Sequence, residues 1–442
     1  MTFAESKSED ELLAENFQRL ASFLKAEEQG TFFTGHASLL AKVRKMKLLF
    51  DPVSTRPLFL DSWLFFPDLV INEELLRQVD GIFVSHCHED HYDPGFLKKV
   101  GNSVPIFIPE ARTGFDEITS DKSLNVQLIP PWELTEIAPG VEVLCLPSDH
   151  NDFDSSFIVK GSDFAVFQGN DNFLNFESIT RAKEIVGKVN HAYVPYAYIW
   201  WYPFCLKSLT PDERKTEALR LSTLNMRIGS SIAELFEADL VVPSAANLVF
   251  FESADSILNR EIASSYDFVR YVKANHPAIA DKTVALFAGD YVLHTDQGQK
   301  VFTKDLAQDE FFERLDRFLM KVNQAQPPVR PRSELSEIDL RFLKDKIRGV
   351  ELESIEIDIF FRRADIPKWS LKISMRDYNW HIVEDPSPTT GSITFDIQEH
   401  AFEWWLDGKV TLETILNSQR FSVFRNPEVF EPKVWSILRS HF

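Results

Sequence analysis

Apolar side chains at Leu12, Leu13, Phe17, Leu20, Phe23 and Leu24 recur with the helical period, predicting an amphipathic packing helix over residues 9–28. From Phe32 the pattern shortens to brief apolar runs separated by turn residues. These predict strands at 47–50, 81–84, 105–108, 141–144, 156–159 and 164–167, with helical stretches at 72–79 and 96–100 between some of them. After residue 175 the pattern turns mostly helical, as at 210–236 and 256–274, with one more strand, Leu240-Val241-Val242, ending at Pro243. Short strands alternating with helices predict a layered mixed α/β domain. Three prolines within 327–331 cannot continue a helix, so 324–332 reads as a linker. Beyond it, strand-like runs at 355–359, 369–373 and 392–395 precede helical patterns. The expected organisation is an N-terminal helix over 1–30, a main domain over 31–323 and a small C-terminal α+β module over 333–442.

Composition narrows the function classes. Hydrophobic residues make up 44 % of the 442 residues, enough for a large core, and the net charge of -20 argues against non-specific nucleic-acid binding. The three cysteines, Cys87, Cys145 and Cys205, show no CxxC spacing, which fits a reducing cytoplasm better than a disulfide framework. No signal peptide and no membrane span are expected from the apolar runs.

The chemistry concentrates in His86-Cys87-His88-Glu89-Asp90-His91, just after an apolar strand. Three imidazoles and a carboxylate in six residues are too crowded for one ion. In an extended loop with alternating side chains, His86 and His88 face one metal while Asp90 and His91 turn toward a second. Such donors suit zinc, iron or manganese. Cys87 reads as a small packing residue.

This run resembles the signature His-x-His-x-Asp-His of the metallo-β-lactamase superfamily. Thr34-Gly35-His36-Ala37-Ser38 followed by Phe50-Asp51-Pro52 is similar to the opening of its branch of ascorbate-phosphate lactonases and N-acyl-phosphatidylethanolamine phospholipase D. The resemblance implies a four-layer αββα sandwich holding two divalent metal ions. It implies His150 as the third imidazole ligand, Asp171 as a carboxylate bridging both ions, and a role in the chemistry for Asp90 and Asp171. His36 is expected to orient a ligand or the loop. The usual last His, at a strand end, has no counterpart in Val241-Val242-Pro243-Ser244-Ala245-Ala246-Asn247, and Glu252 is a candidate substitute.

From residue 31 onward the chain also resembles the CMP-N-acetylneuraminate hydroxylase-like proteins. The likeness rests on Asn170-Asp171, Pro243-Ser244-Ala245, Ala288-Gly289-Asp290, Asp407-Gly408-Lys409-Val410-Thr411 and Phe424-Arg425-Asn426-Pro427-Glu428-Val429. Those hydroxylases carry a Rieske iron–sulfur domain, whereas this sequence has no Cys-x-His pair of that kind, so electrons would come from an external donor. The resemblance favours a di-iron oxygenase acting on a small organic substrate. The alternatives are a dinuclear zinc hydrolase of a lactone or phosphodiester, and a non-catalytic carrier. Tyr193, Tyr196, Tyr198, Trp200, Trp201, Tyr202 and Phe204 form either core packing or a pocket wall beside the metals. In the C-terminal module, Phe402, Trp404, Trp405, Leu406 and Phe421 are weakly similar to the apolar lining of a lipid- or partner-binding fold, though core packing is the simpler role.

Overall fold

The structure, a computed structural model, describes residues 9–110, 112–250, 259, 262–304, 306–321, 355–365, 369–377, 379–384, 390–426, 434, 435 and 438. Glu252 and the linker at 324–332 lie outside the described residues.

The strands of the main domain are β1 (Gln29–Gly35), β2 (Ser38–Val43), β3 (Met46–Phe50), β4 (Trp63–Phe65), β5 (Gly81–Phe83), β6 (Pro105–Pro109), β7 (Asn125–Ile129) and β8 (Leu134–Ala138). They continue with β9 (Val141–Pro147), β10 (Ser155–Lys160), β11 (Ala165–Gln168), β12 (His191–Pro195), β13 (Leu240–Ser244), β14 (Leu248–Phe250), β15 (Tyr291–Thr295) and β16 (Gly298–Phe302). One sheet runs in the order β16-β15-β1-β2-β3-β5-β6-β7, parallel from β3 to β7 and antiparallel elsewhere. The other runs β13-β12-β11-β10-β9-β8, parallel across β11, β12 and β13. Several of these strands lie in the region read from sequence as mostly helical. They carry imidazole, hydroxyl or amide groups that break the apolar run.

The helices of this part are α1 (Glu9–Lys25), α2 (Glu73–Gln78), α3 (Pro94–Leu97), α4 (Asp116–Ser120), α5 (Phe176–Val186), α6 (Pro211–Leu235), α7 (Ser265–Asn275) and α8 (Gln308–Lys321). Three apolar clusters define the layers. Phe33, Leu39, Phe50 and Phe83 of the first sheet meet Val143, Phe157, Val166 and Val242 of the second. Outside the first sheet, Leu40, Leu49 and Ile82 pack on Leu20 and Phe23 of α1, Leu75 of α2 and Phe96 of α3. Outside the second, Leu146, Ile158 and Phe167 pack on Ile179 of α5, Met226 and Ile232 of α6 and Phe268 of α7. Helix, sheet, sheet, helix is the four-layer order that the signature implies. Phe83 centres the inner layer, 4.8 Å from Phe50, 4.9 Å from Phe107 and 5.0 Å from Phe157 of the facing sheet. Each such buried ring contributes about 1.5–3 kcal/mol from burial.

Helix ends follow their capping residues. Asn72 accepts from Leu75 N at the start of α2, and Thr210 with Glu213 forms a capping box ahead of Pro211 in α6. Pro243 sits inside β13 rather than ending it. That strand lies at the sheet edge, where a missing N–H costs no ladder bond. Arg19 of α1 donates to the carbonyls of Gly289 (2.7 Å) and Phe302 (2.6 Å), fastening α1 across the end of the first sheet.

The C-terminal strands β17 (Asp358–Arg363), β18 (Trp369–Ser374), β19 (Asn379–Glu384), β20 (Ser392–Ile397) and β21 (Phe421–Asn426) form a sheet ordered β19-β18-β17-β20-β21. Two helices, α9 (Glu399–Leu406) and α10 (Leu412–Ser418), accompany it. The module does not keep its core to itself, because Leu60, Trp201, Cys205 and Leu206 are buried in it beside Phe361, Phe395 and Trp405. Phe402, Trp405, Leu406 and Phe421 are spent on that packing. Among the described residues, no helix is long and apolar enough to cross a membrane.

Candidate metal centre

Strands β5, β9, β11, β12 and β13 all end along one rim of the two-sheet core. The 86–91 run leaves β5 extended and then turns, with His91 N and Tyr92 N both donating to His88 O at 3.0 and 2.8 Å. The loop is therefore not extended throughout: the turn, rather than simple alternation, carries Asp90 to His36 and leaves the His91 ring 4.0 Å from that of His86. Asp93 closes the loop by accepting from Phe96 N at the start of α3. Cys87 points away and packs against Gly114, whose φ of +91 and lack of Cβ leave room for the sulfur. Burial pushes its thiol up to about 11, so it is a neutral packing group.

Hydrogen bonds fix which nitrogen each ring offers. Asp51, fully buried at the end of β3, accepts from Ser85 N, from Ser85 Oγ and from His91 Nδ1 (2.8, 2.7 and 2.8 Å). Since Ser85 Oγ spends its hydrogen on Asp51, it accepts from His86 Nδ1 at 3.0 Å. The Nε2 atoms of His86 and His91 then face inward. His88 Nε2 lies 3.3 Å from Glu413 Oε1, which leaves its Nδ1 to face His86 Nε2 at 3.0 Å. Two lone pairs at that separation repel. It is also about the spacing of two nitrogens at ~2.1 Å from one ion with a near-right angle between them.

Two donor groups result. His86, His88 and Asp171 have ligand atoms within 4.8 Å of one another, and so do His36, Asp90 and His91. Asp171 Oδ2 is 3.4 Å from His91 Nε2, so its carboxylate reaches from the first group to the second. His91 Nε2, His36 Nδ1 and Asp154 Oδ1 are buried without a hydrogen-bond partner, an arrangement that protein groups alone leave costly. A pair of divalent cations fits this donor set.

Of the residues expected as ligands, His86, His88, Asp90, His91 and Asp171 are brought together. His150 is not. It is exposed on the turn between β9 and β10, where Asn151 Oδ1 accepts from Phe153 N and Asp154 N (3.2 and 2.7 Å). That turn delivers Asp154 instead, with Oδ1 3.7 Å from His86 Nε2. At the His-less strand end, Ala245 N donates to the carbonyl of His36 at 3.0 Å, and His36 Nε2 sits 2.9 Å from Asp90 Oδ2. An imidazole from the β1–β2 turn thus stands beside the place where a strand-end imidazole was missing. His36, Asp51, Asn170 and Ala245 all adopt left-handed backbone (φ 53, 43, 53 and 65), strain of the kind that gathers at functional loops.

The electrostatics follow from this crowding. Burial pushes His86 well down, helped by His91 and His88. Burial opposes charge on His91 too, but Asp171, Asp90 and Asp51 outweigh it and raise the imidazole well above its ordinary value. Asp90 is desolvated yet held well below the carboxylate range by His91 and His36. Asp154 is raised by burial.

His36, His88, Asp90 and Asp171 open into a cavity of about 320 Å³ whose other walls include Phe59, Trp63, Phe173, Tyr198 and Trp200. Tyr198 and Trp200 from the aromatic run are therefore pocket wall. Tyr193 and Trp201 are fully buried packing residues.

No protein-family model matches the chain. It is 26 % identical over 183 residues to a Rieske 2Fe-2S iron-sulfur protein of Mycolicibacterium smegmatis, a match covering 38 % of this chain and 34 % of the relative. It is 26 % identical over 172 residues to the cytidine monophosphate-N-acetylneuraminic acid hydroxylase of Xenopus laevis, covering 37 % of this chain and 28 % of that protein. The match thus spans about a third of these relatives and a smaller part of this chain than the sequence motifs imply. Similar solved structures are of the metallo-β-lactamase fold. They include YhfI of Bacillus subtilis (TM-score 0.39, 13 % identity, 60 % of this chain and 98 % of that one). Another is the diiron β-hydroxylase CmlA of Streptomyces venezuelae (TM-score 0.40, 18 % identity, 63 % and 55 %).

Proposed function

We propose that this chain is a metal-dependent oxygenase that hydroxylates a small ring-bearing substrate with electrons from an external iron–sulfur donor. The observation that carries the reading is the composition of the donor groups. His86, His88 and Asp171 make one set of two imidazoles and a carboxylate, and His36, His91 and Asp90 make another. Two-His-one-carboxylate sets with open positions are the donor pattern of non-haem iron oxygenases. The partial likeness to proteins named as a hydroxylase and as Rieske iron–sulfur proteins supports the same reading.

Iron held by these groups would supply dioxygen activation, with overall stoichiometry substrate-H plus dioxygen, two electrons and two protons giving substrate-OH and water. The protein's share is placement. Asp51 holds His91 in one tautomer, and Asp171 ties the two groups together. Phe59, Trp63, Phe173, Tyr198 and Trp200 offer faces for a flat or ring-containing molecule. Asn225 and Asn417 offer carboxamides for orientation, and no Lys or Arg lines the cavity among the described residues. Cys87, Cys145 and Cys205 are held as neutral thiols by burial and lack Cys-x-His spacing, so the electrons would come from a donor outside these residues.

The test is elemental analysis and optical spectroscopy of protein purified anaerobically from iron-supplemented cells. About two irons per chain, with absorption that changes on adding oxygen, is expected. Stoichiometric zinc without iron would overturn the oxygenase and point to a dinuclear hydrolase acting through a metal-bound water.

A further inference from the structure

We infer that the C-terminal module completes the metal site, with Glu413 acting as the positioning residue for His88. The inference rests on the metal-site reading above and does not depend on which metal or reaction the site uses.

His88 is the least enclosed imidazole of its donor group, with a side chain 19 % exposed, whereas His86 and His91 are fully buried. Its ring needs an outside partner to hold one orientation. On one side Phe153 packs at 5.2 Å. On the other, Glu413 Oε1 lies 3.3 Å from Nε2. A carboxylate at Nε2 makes that nitrogen the donor and turns the lone pair of Nδ1 toward His86 and Asp171, which is how outer carboxylates fix metal-binding imidazoles. Asp51 does the same for His91 in the other group, through Nδ1 at 2.8 Å. The two groups are thus each braced by one carboxylate that is not part of them. The difference is origin: Asp51 belongs to the first sheet, Glu413 to α10 of the C-terminal module.

The placement of α10 is fixed by several independent contacts. Thr411 caps it by accepting from Thr414 N at 3.1 Å. Trp63 Nε1, beside the cavity, donates to Asn417 O at 2.9 Å, and Gln419 Nε2 donates to Trp200 O at 3.3 Å. Backbone bonds join Lys207 N to Val423 O (2.9 Å) and Val423 N to Cys205 O (2.8 Å). Trp201 is inserted in the module's core, 4.5 Å from Trp435. Glu413 and Asn417 are four residues apart and share one helical face. Glu413 gives a carboxylate to His88, and Asn417, whose Nδ2 donates to the same Glu413 Oε1 at 3.5 Å, borders the cavity. A helix more than 320 residues downstream of the metal-binding loop therefore braces one donor group and borders the substrate space.

The experiment uses the full chain, as wild type, Glu413→Ala and Glu413→Gln. Binding of Fe(II) and of Zn(II) is measured by chelator competition in a His36→Ala background, which isolates the His86 group, and apo-protein Tm is read alongside. The expected result is a loss of about 10–100-fold in affinity for Glu413→Ala with apo Tm unchanged. Glu413→Gln keeps an acceptor of the same shape and is expected to recover most of that loss, which a merely structural role would not produce. Wild-type affinity in Glu413→Ala would overturn the inference, as would a loss accompanied by an equal fall in apo Tm in both variants. If the wild type itself bound neither metal, the metal-site reading would fail first, and the two failures are told apart by that control.

Discussion

His91 and Asp51 are joined by a 2.8 Å bond from Nδ1–H to Oδ2, and both side chains are fully buried. Both oxygens of Asp51 are engaged, Oδ1 by Ser85 N and Oδ2 by Ser85 Oγ as well as His91. In Asp51→Asn an NH₂ group must face one of these three donors. Metal affinity of the group containing His91 is expected to fall about 10–100-fold, measured by chelator competition. Wild-type affinity in this variant would show that His91 needs no orienting carboxylate.

His150 and Asp154 make opposite predictions within one short turn. His150 is exposed and apart from both donor groups, whereas Asp154 turns a buried, unpartnered oxygen toward His86. His150→Ala is expected to leave metal stoichiometry and affinity unchanged. Asp154→Ala is expected to weaken metal binding at least tenfold, within the usual range for a lost ligand or close neighbour. The reverse pattern in paired titrations would restore His150 as the ligand and remove Asp154.

His36 replaces nothing visible in the sequence, yet it completes the second donor group with Asp90 and His91. His36→Ala leaves only Asp90, His91 and the Asp171 carboxylate shared with the first group, so metal content is expected to drop from about two ions per chain to about one, with the His86 group still loaded. Elemental analysis of dialysed protein reads this directly. Two tightly held ions in the variant would return His36 to a purely orienting role.

What could be read from the chain divides along the distance over which the signal acts. The 86–91 run is local, and three imidazoles with two carboxylates in six residues point to a metal whatever the fold. Helix α1 was legible from Leu20 and Phe23, which are buried as the period requires. From sequence His36 reads only as an orienting group, because a lone imidazole after a glycine carries no local sign that its strand will end beside Asp90. Asp154 was hidden by His150, which has the more metal-like side chain. The Asn151 turn, within Asn-Asp-Phe-Asp, is what points Asp154 rather than His150 toward His86. Glu413 was invisible for another reason. Its partner lies across the chain, and tertiary contacts, among them Trp201 in the module's core and Trp63 on Asn417 O, bring α10 to the site.

Away from the metals, His191 carries a pH dependence of stability. Its ring is fully buried in β12 between Thr31 and Gln299, with Phe164 at 4.8 Å and His294, Tyr193 and Asp239 the nearby ionisable groups. Gln299 donates to His294 with its amide, so its Oε1 accepts from His191 Nε2–H at 2.6 Å. Thr31 Oγ1 already accepts from Tyr193 OH and donates to His191 Nδ1 at 2.8 Å. A proton on Nδ1 would therefore set donor against donor. Burial, with a smaller push from His294, lowers this imidazole to about 4, although the Gln299 bond works the other way. The unfolded chain takes up a proton near pH 6.5 that the folded one refuses until about pH 4. Stability from this group is thus complete above pH 6.5 and is lost as pH falls, by about 2 kcal/mol at pH 5. Urea unfolding at pH 7.5 and pH 5 should show that much more acid sensitivity in the wild type than in His191→Gln. Equal sensitivity would mean that His191 titrates normally in the fold.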